Sequence, residues 1–159
     1  MQDRFKFRAK LKGMDKWVYG AYLKMLPYQP YPVGRIKPLE TEYKHLIITE
    51  GSADWGMPRE IRTYEVIPET VGQCTGSKDY NGKLMYEGDI VKIWKFSKDL
   101  YGNDKRVIKW NDARCGFRLY TIDQYKRGIE LSPQSMVNVT TIEVIGNIFQ
   151  NPELLKDGK

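Results

Sequence analysis

Histidine is nearly absent from this chain of 159 residues, with His45 alone, and cysteine is represented only by Cys74 and Cys115. Neither cysteine stands in a Cys-x-x-Cys pair or has a histidine near it in sequence. That spacing excludes both a zinc cluster and a disulfide framework, and both are expected to be reduced packing residues. A lone histidine in an apolar strand, "HLIIT", with no serine or cysteine motif near it, is a weak basis for acid–base or nucleophilic chemistry. No run of about eighteen apolar residues exists, and the N-terminal "MQDRFKFRAK" places charges where a signal peptide carries its apolar region. A cytoplasmic chain with no membrane partner is the expectation. A charge-segregated tail is also missing. Basic residues outnumber acidic ones 12 to 9 over residues 1–75 and 14 to 11 over residues 76–159, so the net charge of +6 gives only a mild bias toward anionic partners.

Phosphate-binding signatures fail as well. In "GSKDYNGKL" the glycines Gly76 and Gly82 enclose five residues, and Leu84 follows Lys83 where a magnesium-binding Ser or Thr would be needed. No βαβ unit surrounds the glycines, which removes the dinucleotide fingerprint. Asp79, Glu87 and Asp89 lie close in sequence and are the one candidate set for a metal-dependent hydrolase. Turn chemistry accounts for them better, because Asp next to Gly bonds its own backbone. No catalytic residue, cofactor or metal is therefore assigned, and an enzyme is not expected.

What the chain does have is β patterning. "RFKFRAKLK" alternates over residues 4–12, with Phe5, Phe7, Ala9 and Leu11 on one side and Arg4, Lys6, Arg8, Lys10 and Lys12 on the other, which predicts a half-buried strand with a cationic outer face. "KWVYGAYLKM" completes a hairpin. "PYQPYPVGRIKP", residues 27–38, holds four prolines and a glycine and is the candidate boundary between lobes. "HLIIT" and "IRTYEVI" read as strands separated by an exposed loop carrying Trp55. "KRVIKW", "GFRLYTI" and "MVNVTTIEVIGNIF" follow at intervals typical of a barrel or sandwich, with no convincing helical period. "NPELLK" ends the chain with a short helical turn, in which Asn151 is expected to cap and Leu154 and Leu155 to pin the terminus.

The segment from Glu69 to Phe96 divides in two. "KDYNGKLMYEGD" contains Asn81-Gly82, a favoured two-residue hairpin turn, and "EGDIVKIWKF" opens a barrel strand. The expected fold is mainly β, α+β at most, with a Src-homology-3-like barrel over residues 68–155 and an N-terminal lobe of strands and a proline-rich loop over residues 1–67. "YEVIPETVGQCTGSKDYNGKLMYEGDIVKI", "FRA", "WVYG" and the terminal "EVIGNIFQNPELL" together resemble the YopX family of phage and prophage proteins, in the family's order and across nearly the full chain. The resemblance implies a β-rich fold and a phage or prophage setting. It implies no catalytic residues. A non-enzymatic accessory protein acting on a phage or host protein, or by self-association, is thus expected, its surface including Trp55, Asp79 and Tyr80. Nucleic-acid binding through the cations of residues 4–12 and 92–98 is the alternative, because basic and aromatic residues interleave there.

Overall fold

The computed structural model describes residues 2–26, 43–51, 60–93, 105–129, 134–135 and 142–156. They fall into two units, one of Phe5–Gly72 and one of Met1–Arg4 with Gln73–Lys159. Proteins of this composition can be built from layers or from sheets; here both units are antiparallel β.

The first unit contains β1 (Phe7–Lys10), β2 (Trp17–Met25), β3 (Lys44–Glu50) and β4 (Ile61–Glu65), in the spatial order β4-β3-β2-β1. Period-two patterning turns Ala9, Leu11, Val18, Ile47 and Val66 to one side, where they form the unit's core with Phe7, Tyr22, Tyr64 and Val71 against it. The sheet is curled. At Gly20 the backbones approach so closely that a Cβ would lie 2.1 Å from the Ile48 carbonyl oxygen, so only glycine fits. The curl brings the end of β1 back to the end of β4, where Leu11 bridges Val66 and the Lys12 and Ile67 amides donate to the Glu65 and Lys10 carbonyls at 3.1 and 2.9 Å. Thr70 locks that junction, accepting from the Lys10 amide at 2.9 Å and donating to the Ile67 carbonyl at 2.7 Å.

Two expectations change here. The first strand begins at Phe7 and not at Arg4, because Gln2–Phe5 forms a 3-10 turn and Phe5 is left exposed. Its ladder also ends at Phe7, whose partner Gly20 is the point at which β2 passes on to pair with β3. The proline-rich residues 27–38 lie outside the described residues, but the strands that flank them, β2 and β3, pair directly. That stretch therefore joins neighbours within one unit, and the division of the chain falls at Gly72 and Gln73.

In the second unit β5 (Gly72–Lys78) and β6 (Leu84–Tyr86) make a hairpin, with a register break between the Cys74 and Lys78 pairs and Gly76 at φ 80° inside it. Next come β7 (Asp89–Ile93), β8 (Lys105–Asn111), β9 (Gly116–Thr121), α1 (Ile122–Arg127), β10 (Gln134–Ser135) and β11 (Ile142–Asn147). Five of these strands form a sheet in the order β10-β9-β8-β7-β11. Met85, Val91, Ile93, Ile108, Leu119 and Ile142 are its buried core. Among the described residues no ladder joins β10 to β11, and no closed barrel is found among them.

The helix α1 departs from the all-strand reading of this half. Thr121 accepts from the Gln124 amide while the Gln124 side chain accepts from the Thr121 amide, each at 3.0 Å, a reciprocal cap that starts six helical residues. Gly128 at φ 63° ends them. The hairpin turn differs too. Gly82 has φ 80° but Asn81 does not have positive φ, and the Asp79 amide donates to the Lys83 carbonyl at 2.8 Å. That pattern is a three-residue loop with a left-handed glycine rather than the two-residue Asn-Gly turn. At the end of the chain Asn151 does not cap the Pro152–Leu155 turn; its Oδ1 accepts from the Asn147 amide at 3.3 Å. Gly146 makes room for it, since a Cβ there would come within 2.6 Å of that oxygen.

Candidate functional site

The terminal cations are not one open face. Lys6 is exposed, and Arg4 sits in the 3-10 turn of the second unit, where its carbonyl accepts from Gln73 Nε2 at 3.1 Å. Arg8 is 5% exposed, with its guanidinium 5.0 Å from the Trp17 ring centroid. Lys10 Nζ lies 2.7 Å from Asp15 Oδ1, and Lys12 donates to the Glu65 carboxylate. That hydrogen bond from Lys12 holds the Glu65 carboxyl below its ordinary range. Arg8, Lys10 and Lys12 are thus stacked or paired.

The acids of the turn are held by backbone. Asp79 is 6% exposed; Oδ1 accepts from the Asn81 and Lys83 amides at 2.9 and 2.8 Å, and Oδ2 accepts from Val144 of β11 at 3.0 Å. Asp89 is buried, and its Oδ2 accepts from the Tyr86 amide at 2.8 Å, closing the "YEGD" turn around Gly88 at φ 82°. Glu87 Oε1 accepts from the Trp110 amide at 3.0 Å. Among the described residues no group of three or more His, Cys, Asp or Glu is placed to hold a metal ion. His45 is engaged by a 2.6 Å contact between its Nδ1 and the Tyr22 hydroxyl. Tyr80, by contrast, projects from the turn, 72% exposed, while its amide donates to the Ile142 carbonyl at 2.8 Å. Trp55 and residues 94–98 lie outside the described residues.

The structure adds a surface that sequence reasoning missed. Ala21 pairs with Ile48 and Leu23 with Leu46, so the odd-numbered residues of β2 share a face with the even-numbered residues of β3; Ile48 in turn pairs with Thr63, which puts Ile61 on the same face. This is the face away from the core. Tyr19, Leu23 and Met25 on β2 and Ile61 on β4 are all exposed there, Ile61 at 78%. The signal was present in "WVYGAYLKM", a strand apolar on both faces: Val18 and Tyr22 serve the core, and Tyr19, Leu23 and Met25 do not. Large exposed apolar residues gathered on one face mark interaction surfaces more often than scattered ones do.

A mainly β protein of two antiparallel units, with Asp79, Glu87 and Asp89 bonded to backbone amides and four large apolar side chains exposed on one sheet face, is the class these observations define. The chain belongs to the YopX family: the family model, described as YopX protein, matches residues 6–156. It is similar to the SPbeta prophage-derived uncharacterized protein YopX of Bacillus subtilis (strain 168), with 29% identity over 119 residues, 71% of this chain and 84% of the relative. Its fold is similar to the crystal structure of protein EF1440 from Enterococcus faecalis, with a TM-score of 0.52 at 22% identity, covering 94% of this chain and 96% of the other. No helix among the described residues is long and apolar enough to cross a membrane.

Proposed function

We propose that the chain is an accessory protein of a phage or integrated prophage that acts in the bacterial cytoplasm by binding another protein, phage or host, and not by catalysis. The observation that carries this reading is the exposed apolar face of the first unit, Tyr19, Leu23, Met25 and Ile61, which has no role in that unit's core. Aromatic and aliphatic anchors of this kind supply most of the energy of protein interfaces. The prophage setting comes from the relative's name and the shared family. The second unit is a Src-homology-3-like scaffold in this reading. A meander of β7 to β10 with β11 returning beside β7 is the order from which curling β10 toward β11 removes both sheet edges.

Light scattering on the purified chain, followed by affinity capture from infected host lysate, tests this. A defined complex or self-association that Tyr19→Lys with Leu23→Lys abolishes, while the circular dichroism spectrum is unchanged, supports it. A monomer that captures nothing reproducible, or capture indifferent to the double substitution, overturns it.

A further inference from the structure

β4 is an end strand of the sheet in the first unit, and its ladder with β3 fixes which way its backbone points. The Gly51 amide donates to the Glu60 carbonyl at 2.7 Å, and the Val66 amide to the His45 carbonyl at 2.9 Å. Bonded pairs alternate along an antiparallel ladder, so Arg62 and Tyr64 turn their amides and carbonyls to β3 while Ile61 and Thr63 turn theirs away from it. The end of β1 meets the far end of this edge, where the Lys12 amide donates to the Glu65 carbonyl at 3.1 Å. Glu60, Ile61, Arg62 and Thr63 are all exposed, and among the described residues no strand pairs with their outer side. The usual protections of a sheet edge are missing within Ile61–Glu65, which holds no proline, no lysine and no bulge.

We infer that this edge pairs antiparallel with the same edge of a second copy of the chain, with the two-fold axis at Ile61. In that register Ile61 lies opposite the partner's Ile61, and Glu60 and Arg62 lie opposite the partner's Arg62 and the partner's Glu60. Read in reverse, the segment is its own complement, with acid against base on both sides of an apolar pair. Opposite-charge and apolar pairs of this kind are the ones that stabilise neighbouring strands. The adjacent symmetric registers are worse. An axis at Arg62 sets one guanidinium against another, and an axis at Thr63 brings the second strand to Glu65, where Lys12 is already bonded. At Ile61 the outward amide of each copy can donate to the outward carbonyl of the other. The Ile61 side chain, at 78% the most exposed large apolar residue described, lies on the outer face. Glu60 and Arg62 lie on the opposite face, 3.9 Å apart within one chain and with side chains 74% and 49% exposed, so both are within reach of a second strand. Pairing consumes the edge in both copies, and the association therefore closes at two. It does not rest on the protein-binding reading above: Ile61 is shared, but an edge-to-edge pair leaves Tyr19, Leu23 and Met25 uncovered.

The test is sedimentation equilibrium of the full chain from about 10 µM to 1 mM, a range suited to a short edge that buries less area than the interfaces of stable dimers. A monomer–dimer equilibrium is expected, with hydrogen exchange at the Ile61 amide slowing as concentration rises. Glu60→Arg alone and Arg62→Glu alone each set like charges opposite one another and are expected to weaken the dimer about tenfold or more. The two substitutions together exchange the charges and are expected to restore it. Ile61→Lys should abolish the dimer, and Tyr19→Lys with Leu23→Lys should leave it unchanged, which separates the edge from the face proposed above. Circular dichroism checks that each variant is folded. Four results overturn the inference: a monomer at the highest concentration, a dimer that neither single reversal weakens, a double reversal as weak as the single ones, or a dimer lost with Tyr19→Lys and Leu23→Lys.

Discussion

Asp79 joins the tip of the β5–β6 hairpin to β11 through Val144: its Oδ2 accepts the Val144 amide at 3.0 Å while its other oxygen holds the Asn81 and Lys83 amides. A carboxylate that receives three backbone N–H groups, and is nearly buried, has its acceptor capacity committed to the fold. Asp79→Ala leaves those donors without their acceptor and is expected to cost about 3 kcal/mol. Urea unfolding checks this, with Tyr80→Ala as the control; its exposed side chain predicts a change within about 0.5 kcal/mol. Equal effects of the two substitutions would contradict the clamp.

Gly20 lets β2 approach the Ile48 backbone of β3 closely. A methyl group there would meet the Ile48 carbonyl oxygen at 2.1 Å and Ile47 Cγ2 at 3.1 Å, and the first of these is backbone. Gly20→Ala is therefore expected to destabilise by about 2 kcal/mol or more. Gly116→Ala, where nothing lies closer than 3.7 Å, should be tolerated. The measurement is the thermal midpoint of each variant, and a tolerated Gly20→Ala would mean that the strands are not so close.

Glu65 and Lys12 give a small acid-range dependence. The hydrogen bond from Lys12 lowers the Glu65 carboxyl from its ordinary value of 4.5, with the Lys12 and Lys44 charges adding to it and burial opposing. A carboxyl lowered in the folded state contributes stability that is present above its unfolded value and is lost as pH falls through the folded value. The pair is exposed, so the effect on stability is slight. Carbon-detected NMR titration should place Glu65 below 4.5, and Lys12→Met should raise it. An unmoved Glu65 in the variant would show that the pair does not form.

Tyr125 behaves oppositely. Burial, and after it the Glu87 carboxylate, raise its phenol above the ordinary 10.0. Because the folded state holds this proton more tightly, its contribution to stability is present below the unfolded value and is lost as pH rises through the folded one. Ultraviolet titration of the phenolate should show Glu87→Gln lowering the value only in part, since burial is the larger cause. A return to 10.0 would assign the whole shift to Glu87.

The contrast between residues 4–12 and 121–128 shows what could be read in advance. Period-two alternation found a strand within residues 4–12 but set its start three residues too early, and the Gly-Asp turn announced β7, because those signals are local. Alternation could not foresee that Arg8 lies buried against Trp17, since that depends on the β1–β2 register setting Lys10 against Trp17 and Arg8 against Tyr19. The α1 helix was hidden by its length: six residues give too little periodicity, although "TIDQ" with Gly128 carried a cap and a stop. Asp79 read as a turn residue is correct, but its bond to Val144 crosses 65 positions and no local pattern predicts it. The apolar outer face of β2 stood in plain view in "WVYGAYLKM", and was absorbed into a hairpin because composition does not say which face a sheet buries.

The direct measurement of the central claim is a titration of a captured partner against the full chain by isothermal calorimetry. If the outer face of β2 is the binding surface, Tyr19→Lys with Leu23→Lys weakens binding at least about a hundredfold, on the scale of losing two anchors, with unfolding unchanged. Affinity equal to that of the unaltered chain would contradict it.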